Sequence, residues 1–189
     1  MIDPSPSAEL PTPNPPFDRA HYFRLGGSAA AVYLVVLVAL YLIDRQLLLN
    51  PGLDYLIANV LYWTVIIKAI SDYKIRHQFE LTLGEGIKAG FTTALFLPLV
   101  FHLFMYLLFN FIDPEMIEVQ MEVIKDSVAT VAGLFGEGVS EAEFGDMEAT
   151  LDAIGVNGYP FSAVVLGLAQ SFFYLLLIAL VVSLVKKTR

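Results

Sequence analysis

The sequence predicts an all-α integral membrane protein, with four transmembrane helices and an extramembrane helical hairpin between spans three and four. Three observations carry this. Of 189 residues, 57% are hydrophobic and only 16% charged, against roughly 45–50% and about 25% in ordinary soluble domains. Mean hydropathy is +0.66, an excess that one soluble core cannot hide. The apolar residues are gathered into a few long, uninterrupted blocks. In hydrocarbon only helices or closed barrels satisfy every backbone N–H and C=O, and a helix needs about 20 residues to cross a core of about 30 Å.

Four blocks are long enough. Residues 25–43 carry no charge, open with the small run Gly26-Gly27-Ser28-Ala29-Ala30-Ala31 and stop at Asp44-Arg45. Residues 53–70 hold Asn59 inside and Lys68 near the end, both costly in lipid unless paired or snorkelling to the surface. Residues 87–112 contain Pro98, which lacks a backbone donor and frees the Ala94 carbonyl, so a tilt or kink is expected there. Residues 161–185 are the most apolar and run into Lys186-Lys187-Thr188-Arg189.

Lys and Arg near span ends are retained in the cytoplasm. Arg19, Arg24, Lys68, Lys74, Arg76, Lys88, Lys186, Lys187 and Arg189 flank one side, whereas Arg45 and Lys125 flank the other. Both termini are therefore expected in the cytoplasm, with the connection 113–159 facing outward. The first 20 residues are acidic and lack the apolar stretch of a signal peptide, so the first span is expected to serve as its own insertion signal. The tail, residues 1–20, carries six prolines, Pro4, Pro6, Pro11, Pro13, Pro15 and Pro16. That composition favours extended or disordered chain, with a docking peptide for a proline-reading partner as the sharper alternative.

The outward connection continues as helix. Asp113 is placed as N-cap with Pro114 at the first helical position. Ile117, Met121, Ile124, Val128, Val131 and Phe135 then recur at steps of four and three, while Glu115, Glu118, Glu122 and Asp126 line another face. Gly133, Gly136 and Gly138 interrupt the chain. Ser140 and Glu143 have capping-box spacing ahead of a second amphipathic piece, Phe144, Met147, Leu151 and Ile154. Eleven acids against Lys125 alone across residues 113–159 should be repelled by anionic headgroups rather than held on them. Glu118, Glu122 and Asp126 could in principle meet a divalent cation, but no EF-hand spacing is present and a solvated face is the plainer reading. There is no internal repeat, and the unequal connections do not fit inverted transporter halves.

Elsewhere, Thr82 and Glu85 have capping-box spacing to start span three. Lys68 with Asp72 and Asp72 with Arg76 are (i, i+4) pairs that could hold the end of span two. The charged exit Asp72-Tyr73-Lys74-Ile75-Arg76, the run Leu81-Thr82-Leu83-Gly84-Glu85-Gly86-Ile87-Lys88-Ala89-Gly90-Phe91, the junction Ile112-Asp113-Pro114-Glu115 and the basic C-terminus resemble those of DUF4199, a bacterial family of small four-helix membrane proteins with a domain of unknown function. The resemblance runs from about residue 53 to the end. The Pro-rich tail lies outside it, and the Gly133 to Gly145 stretch is longer than the family's pattern. The resemblance implies a four-helix inner-membrane protein and supplies no activity, cofactor or catalytic residue.

Two sets of residues stand out for function. Gly86, Gly90 and Ala94 are four apart, as are Ala163, Gly167 and Ser171; such stripes let helix backbones approach where lipid gives no hydrophobic drive. They fit packing within one chain or a homodimer seam. The second set is polar and intramembrane. Pro98, His102, Tyr106 and Asn110 form one stripe on span three, which Asn59 on span two and Gln170 with Tyr174 on span four could face. This is read either as an interhelical hydrogen-bond cluster or as a small cavity for a ligand or proton step centred on His102.

Composition excludes other chemistry. Without cysteine there are no thiol catalysts, disulfides, thiolate metal sites or quinone-linked disulfide oxidases. A dihaem bundle needs paired intramembrane histidines, and only His102 lies inside a span. Proton-coupled exporters need an intramembrane carboxylate, whereas Asp44, Asp54, Asp72 and Asp113 all fall at span edges. No nucleophile motif frames Ser162 or Ser171 beside His102. The net charge of −8 argues against nucleic acid. No cofactor, metal or enzymatic activity is expected. Membrane lipids and a protein partner or second copy are the expected neighbours. The first functional expectation is an accessory or structural subunit; the alternative is a small-solute or lipid carrier using the surface around His102.

Overall fold

The computed structural model describes residues 17–78, 80–123 and 159–187. These are helical with short connections, in the order α1 Arg19–Ile43, α2 Arg45–Leu48, α3 Pro51–Arg76, α4 Leu83–Ala94, α5 Phe96–Leu107, a π-helical turn Leu108–Ile112, α6 over residues 116–123, and α7 Phe161–Lys187. Four helical units are long and apolar enough to cross a membrane: Arg19–Ile43, Gly52–Arg76, Leu83–Ile112 and Phe161–Lys187. Each expected span falls within one of them.

The helix ends are set by side chains that take up orphan N–H groups. Asp18 accepts from the His21 N–H at 3.1 Å and starts α1, inside the stretch read as tail. Asp44 stops α1 and caps α2, accepting from Gln46 at 2.8 Å. Asn50 accepts from Leu53 at 3.0 Å ahead of Pro51. Thr82 and Glu85 close the capping box anticipated from their spacing. Between α3 and α4 the chain turns through Gln78 at φ 54°, in the left-handed region.

Span three breaks at Leu95, between α4 and α5. The cause is local: Pro98 has no N–H to give the Ala94 carbonyl, four residues earlier. Its C-terminal end loosens again in the π-turn, where the Asp113 N–H reaches back five residues to the Leu108 carbonyl at 2.8 Å. Beyond Asp113 the helix resumes at residue 116, after a turn at 114–115. Met116 and Ile117 are buried in the bundle while Glu115, Glu118 and Glu122 are exposed, so the described part of the segment after span three packs its apolar face on the spans. The remainder of the expected hairpin, residues 124–158, lies outside the described residues, as do tail residues 1–16.

In the bundle α4 packs between α3 and α7, while α5 packs on α1 and α7. The core is buried and aromatic, with Tyr22, Tyr33, Phe109, Leu37, Ile66, Ile70 and Leu97 among its largest members. Large apolar side chains such as Val35, Leu42, Phe173 and Leu166 point outward, the arrangement expected when the solvent is lipid. Small residues close the interfaces. A Cβ on Gly86 would meet the Ser183 side chain, and one on Gly90 would meet Ile66 at 3.0 Å and Ile70 at 3.2 Å. Ala94 is fully buried. On α7, Gly167 faces the His102 ring, whereas Ala163 is half-buried near the helix start. Gly86, Gly90 and Gly167 are thus consumed by contacts within the chain.

Each end of the bundle has its own polar knot. At one end Arg76 pairs with Asp18 at 3.7 Å and lies 3.0 Å from His21 Nδ1, so it does not hold Asp72 as its spacing suggested. Asp72 instead lies 3.9 Å from His21 and 4.0 Å from Lys68. Phe17 stacks on Tyr22, Lys88 sits over the Phe17 ring, and Lys74 Nζ donates to the Lys186 carbonyl at 2.8 Å. At the other end the buried Asp113 carboxylate accepts from the Tyr41 hydroxyl at 2.9 Å and pairs with Arg45 at 3.1 Å. Burial raises the Tyr159 phenol above its ordinary range.

Candidate functional site

The π-turn interrupts the polar stripe expected along span three, all of which follows the Leu95 break. His102 stays in regular helix on α5, where α7 crosses it. Its Nε2 lies 3.3 Å from the Ser171 hydroxyl, and its imidazole presses on Gly167, one turn earlier on α7. His102 is 9% exposed. Tyr106 also faces α7, but one turn further out, packing edge-on against Phe161 and Phe111. Asn110 lies within the π-turn, and its amide donates to the carbonyls of Tyr106 at 2.9 Å and Tyr159 at 3.2 Å. Tyr106 and Asn110 therefore tie down the end of the bundle where span three closes and do not join His102 in a shared site.

The other four residues do converge. Asn59, His102, Gln170 and Tyr174 all line one cavity of about 440 Å³. Every span contributes: α1 gives Tyr33; α3 gives Asp54, Tyr55, Ala58, Asn59 and Tyr62; α5 gives Phe101 and His102; α7 gives Gln170, Ser171 and Tyr174. Tyr55 and Gln170 are exposed on the spans, whereas Tyr62 and His102 are buried. The cavity thus has its rim between α3 and α7 and its floor inside the bundle.

Hydrogen bonds hold the wall in place. The Tyr174 hydroxyl donates to Asn59 Oδ1 across the α3–α7 interface, while Asn59 Nδ2 donates to the Tyr55 carbonyl at 2.7 Å. The Tyr33 hydroxyl donates to Asp54 Oδ1 at 3.2 Å. Tyr33 lies parallel to Phe101, and Tyr62 packs edge-on to Tyr174. The result is a fixed aromatic wall with one carboxylate, one imidazole and two carboxamides set into it.

Asp54 corrects the sequence reading. It lies in the first turn of α3, at a span edge as expected, yet it is half-buried, bonded to a neighbouring span and part of the cavity lining. A second, smaller cavity of about 170 Å³ shares Asp54 and Phe101 with the first and is otherwise lined by Leu48, Leu49, Met105, Gln120 and Val123. Tyr33, Tyr55, Tyr62 and Phe101 were not anticipated either. A signal existed for part of this: Tyr55, Asn59 and Tyr62 recur at steps of four and three on α3.

The His102–Ser171 pair is not a hydrolytic triad among the described residues. His102 Nδ1 lies against Gly167, and no carboxylate among the described residues is bonded to it. No group of three or more His, Asp or Glu among the described residues is placed to hold a metal ion.

Four apolar helices around a polar, aromatic-walled cavity define a small multi-pass membrane protein. The chain belongs to the family of proteins of unknown function DUF4199, whose model matches residues 25–188. Searches of curated proteins and of solved structures each return no match.

Proposed function

We propose that the protein binds a small amphipathic solute in the cavity between α3, α5 and α7, as a carrier or a binding protein of the bacterial inner membrane. One observation supports this above the others: all four spans place side chains on a single cavity of about 440 Å³, within the range of small-molecule sites. Polar groups inside a bilayer are costly, so a packed bundle has no need for this many around open space. The rim at Tyr55 and Gln170 lies on membrane-spanning helices, which gives access to a solute dissolved in the bilayer.

The accessory-subunit reading drew on the small-residue stripes, the sparse interior polarity and the amphipathic pair between spans three and four; of the stripes, Gly86, Gly90 and Gly167 are occupied within the chain. The cavity is therefore the feature that favours a solute-binding role. In this reading the termini and the α3–α4 turn face the cytoplasm, because the cations gather at that end, and Asp54 and Tyr55 lie toward the outer face.

Native mass spectrometry of the protein purified in mild detergent tests the reading. A bound small molecule is expected on the unaltered chain and absent from Ala58→Phe, which fills the cavity. A bare chain, or an adduct that survives Ala58→Phe, contradicts it.

A further inference from the structure

We infer that the cavity takes an organic ammonium headgroup, with Asp54 as its counter-ion and the tyrosine ring faces as its walls. This rests on the solute-binding reading above and specifies its ligand class. The charge of the lining points first: among the described residues Asp54 is its one carboxylate, and no described Lys or Arg contributes to it. Of the Asp54 oxygens, Oδ1 accepts from Tyr33, and no other side chain donates to the carboxylate among the described residues. A carboxylate held in a bundle without a fixed cation keeps its charge at lower cost when a mobile cation pairs with it.

The size and chemistry of the walls say which. A hard cation such as Ca2+ or Mg2+ takes a close shell of about six to eight oxygens, and this space is too wide and too aromatic to supply it. Anions meet the Asp54 charge. A neutral apolar guest leaves the carboxylate uncompensated. Tyr33, Tyr55, Tyr62, Phe101 and Tyr174 come from every span, and the negative faces of such rings attract alkylammonium groups. The hydroxyls of Tyr33 and Tyr174 are committed to Asp54 and Asn59, which fixes those two rings in place. Asp54 and Phe101 also border the second cavity, toward α2 and α6, so the counter-ion stands where the two spaces meet.

The test is calorimetric titration of the full-length protein in lipid nanodiscs with choline and with its uncharged isostere, 3,3-dimethylbutan-1-ol. Choline is expected to bind at least tenfold more tightly than the alcohol. Asp54→Asn, nearly isosteric and checked for an unchanged melting temperature, should weaken choline at least tenfold. Tyr62→Leu, which removes a ring face, should fall several-fold below the unaltered protein, and Tyr62→Phe, which keeps the face, should fall less. Equal binding of choline and alcohol, with both lost in Ala58→Phe, overturns the ammonium assignment and leaves the cavity reading standing. Choline binding that ignores both Asp54→Asn and Ala58→Phe overturns both. The absence of choline binding overturns the ammonium assignment.

Discussion

His102 Nε2 lies 3.3 Å from the Ser171 hydroxyl, and the same imidazole is pressed against Gly167, one turn away on α7. A single side chain on α5 thus fixes the distance between two spans and forms part of the cavity floor. The approach exists because Gly167 has no Cβ; one added there would collide with the ring. Gly167→Ala is therefore expected to destabilise the bundle. The overpacking cost of about 1–3 kcal/mol outweighs a helix-propensity gain of at most about 1 kcal/mol. Thermal unfolding in detergent checks this, and an unchanged or raised melting temperature would count against the contact.

Replacing His102 itself separates packing from binding. Interhelical hydrogen bonds in membranes average about 0.6 kcal/mol, with a maximum near 1.7 kcal/mol. His102→Leu and Ser171→Ala should each cost about that much, and the double variant little more than either alone, because they remove the same bond. If His102→Leu leaves assembly intact but abolishes solute binding, the cavity is functional; loss of assembly with binding retained in the folded fraction would make His102 a packing residue.

The two glycines at the start of the first span make a matched pair. Gly26 lies so close to α4 that a Cβ would collide with the Thr93 carbonyl and reach the Phe96 ring at 2.8 Å, whereas Gly27 has nothing within 4 Å. Gly26→Ala should lower stability by about 2 kcal/mol or more, since a backbone carbonyl cannot yield as a flexible side chain does. Gly27→Ala should be neutral or stabilising by up to about 1 kcal/mol. Parallel melting curves decide it, and equal effects would show that α1 does not pack on α4 through Gly26.

At the end of span three, the buried Asp113 carboxylate joins Tyr41 and Arg45 to the π-turn. Asp113→Asn keeps the shape and removes the charge. Bonds to charged groups are worth about 1.5–3 kcal/mol, and the half-exposed Arg45 draws this toward the lower figure. The expected loss is about 1–2 kcal/mol, with faster hydrogen exchange at residues 108–118. Unaltered exchange there would mean that the knot contributes nothing.

What the sequence reveals follows from what each feature depends on. The four spans are legible because hydrocarbon demands long apolar helices regardless of neighbours, and the Thr82–Glu85 box and the break before Pro98 are legible because their causes lie within four residues. The polar site is half legible. Asn59, His102, Gln170 and Tyr174 meet as their positions on facing spans suggested. Asn110 departs because the π-turn changes the helical register before it, and nothing in Leu108–Ile112 announces that turn. Asp54 is hidden by the opposite problem: its place near a span edge is plain, but the Tyr33 hydroxyl that draws it inward comes from another helix. Arg76 likewise prefers Asp18, far away in sequence, to Asp72 one turn before it.

The account stands on four crossings with the cation-rich end in the cytoplasm. Because the chain has no cysteine, single cysteines report sidedness without background. Gln46→Cys and Lys187→Cys, both at exposed positions at opposite ends of the bundle, are treated in intact cells with a membrane-impermeant maleimide. The prediction is that Gln46→Cys reacts at once and Lys187→Cys only after the membrane is opened. Labelling of Lys187→Cys in intact cells, with Gln46→Cys protected, would contradict it.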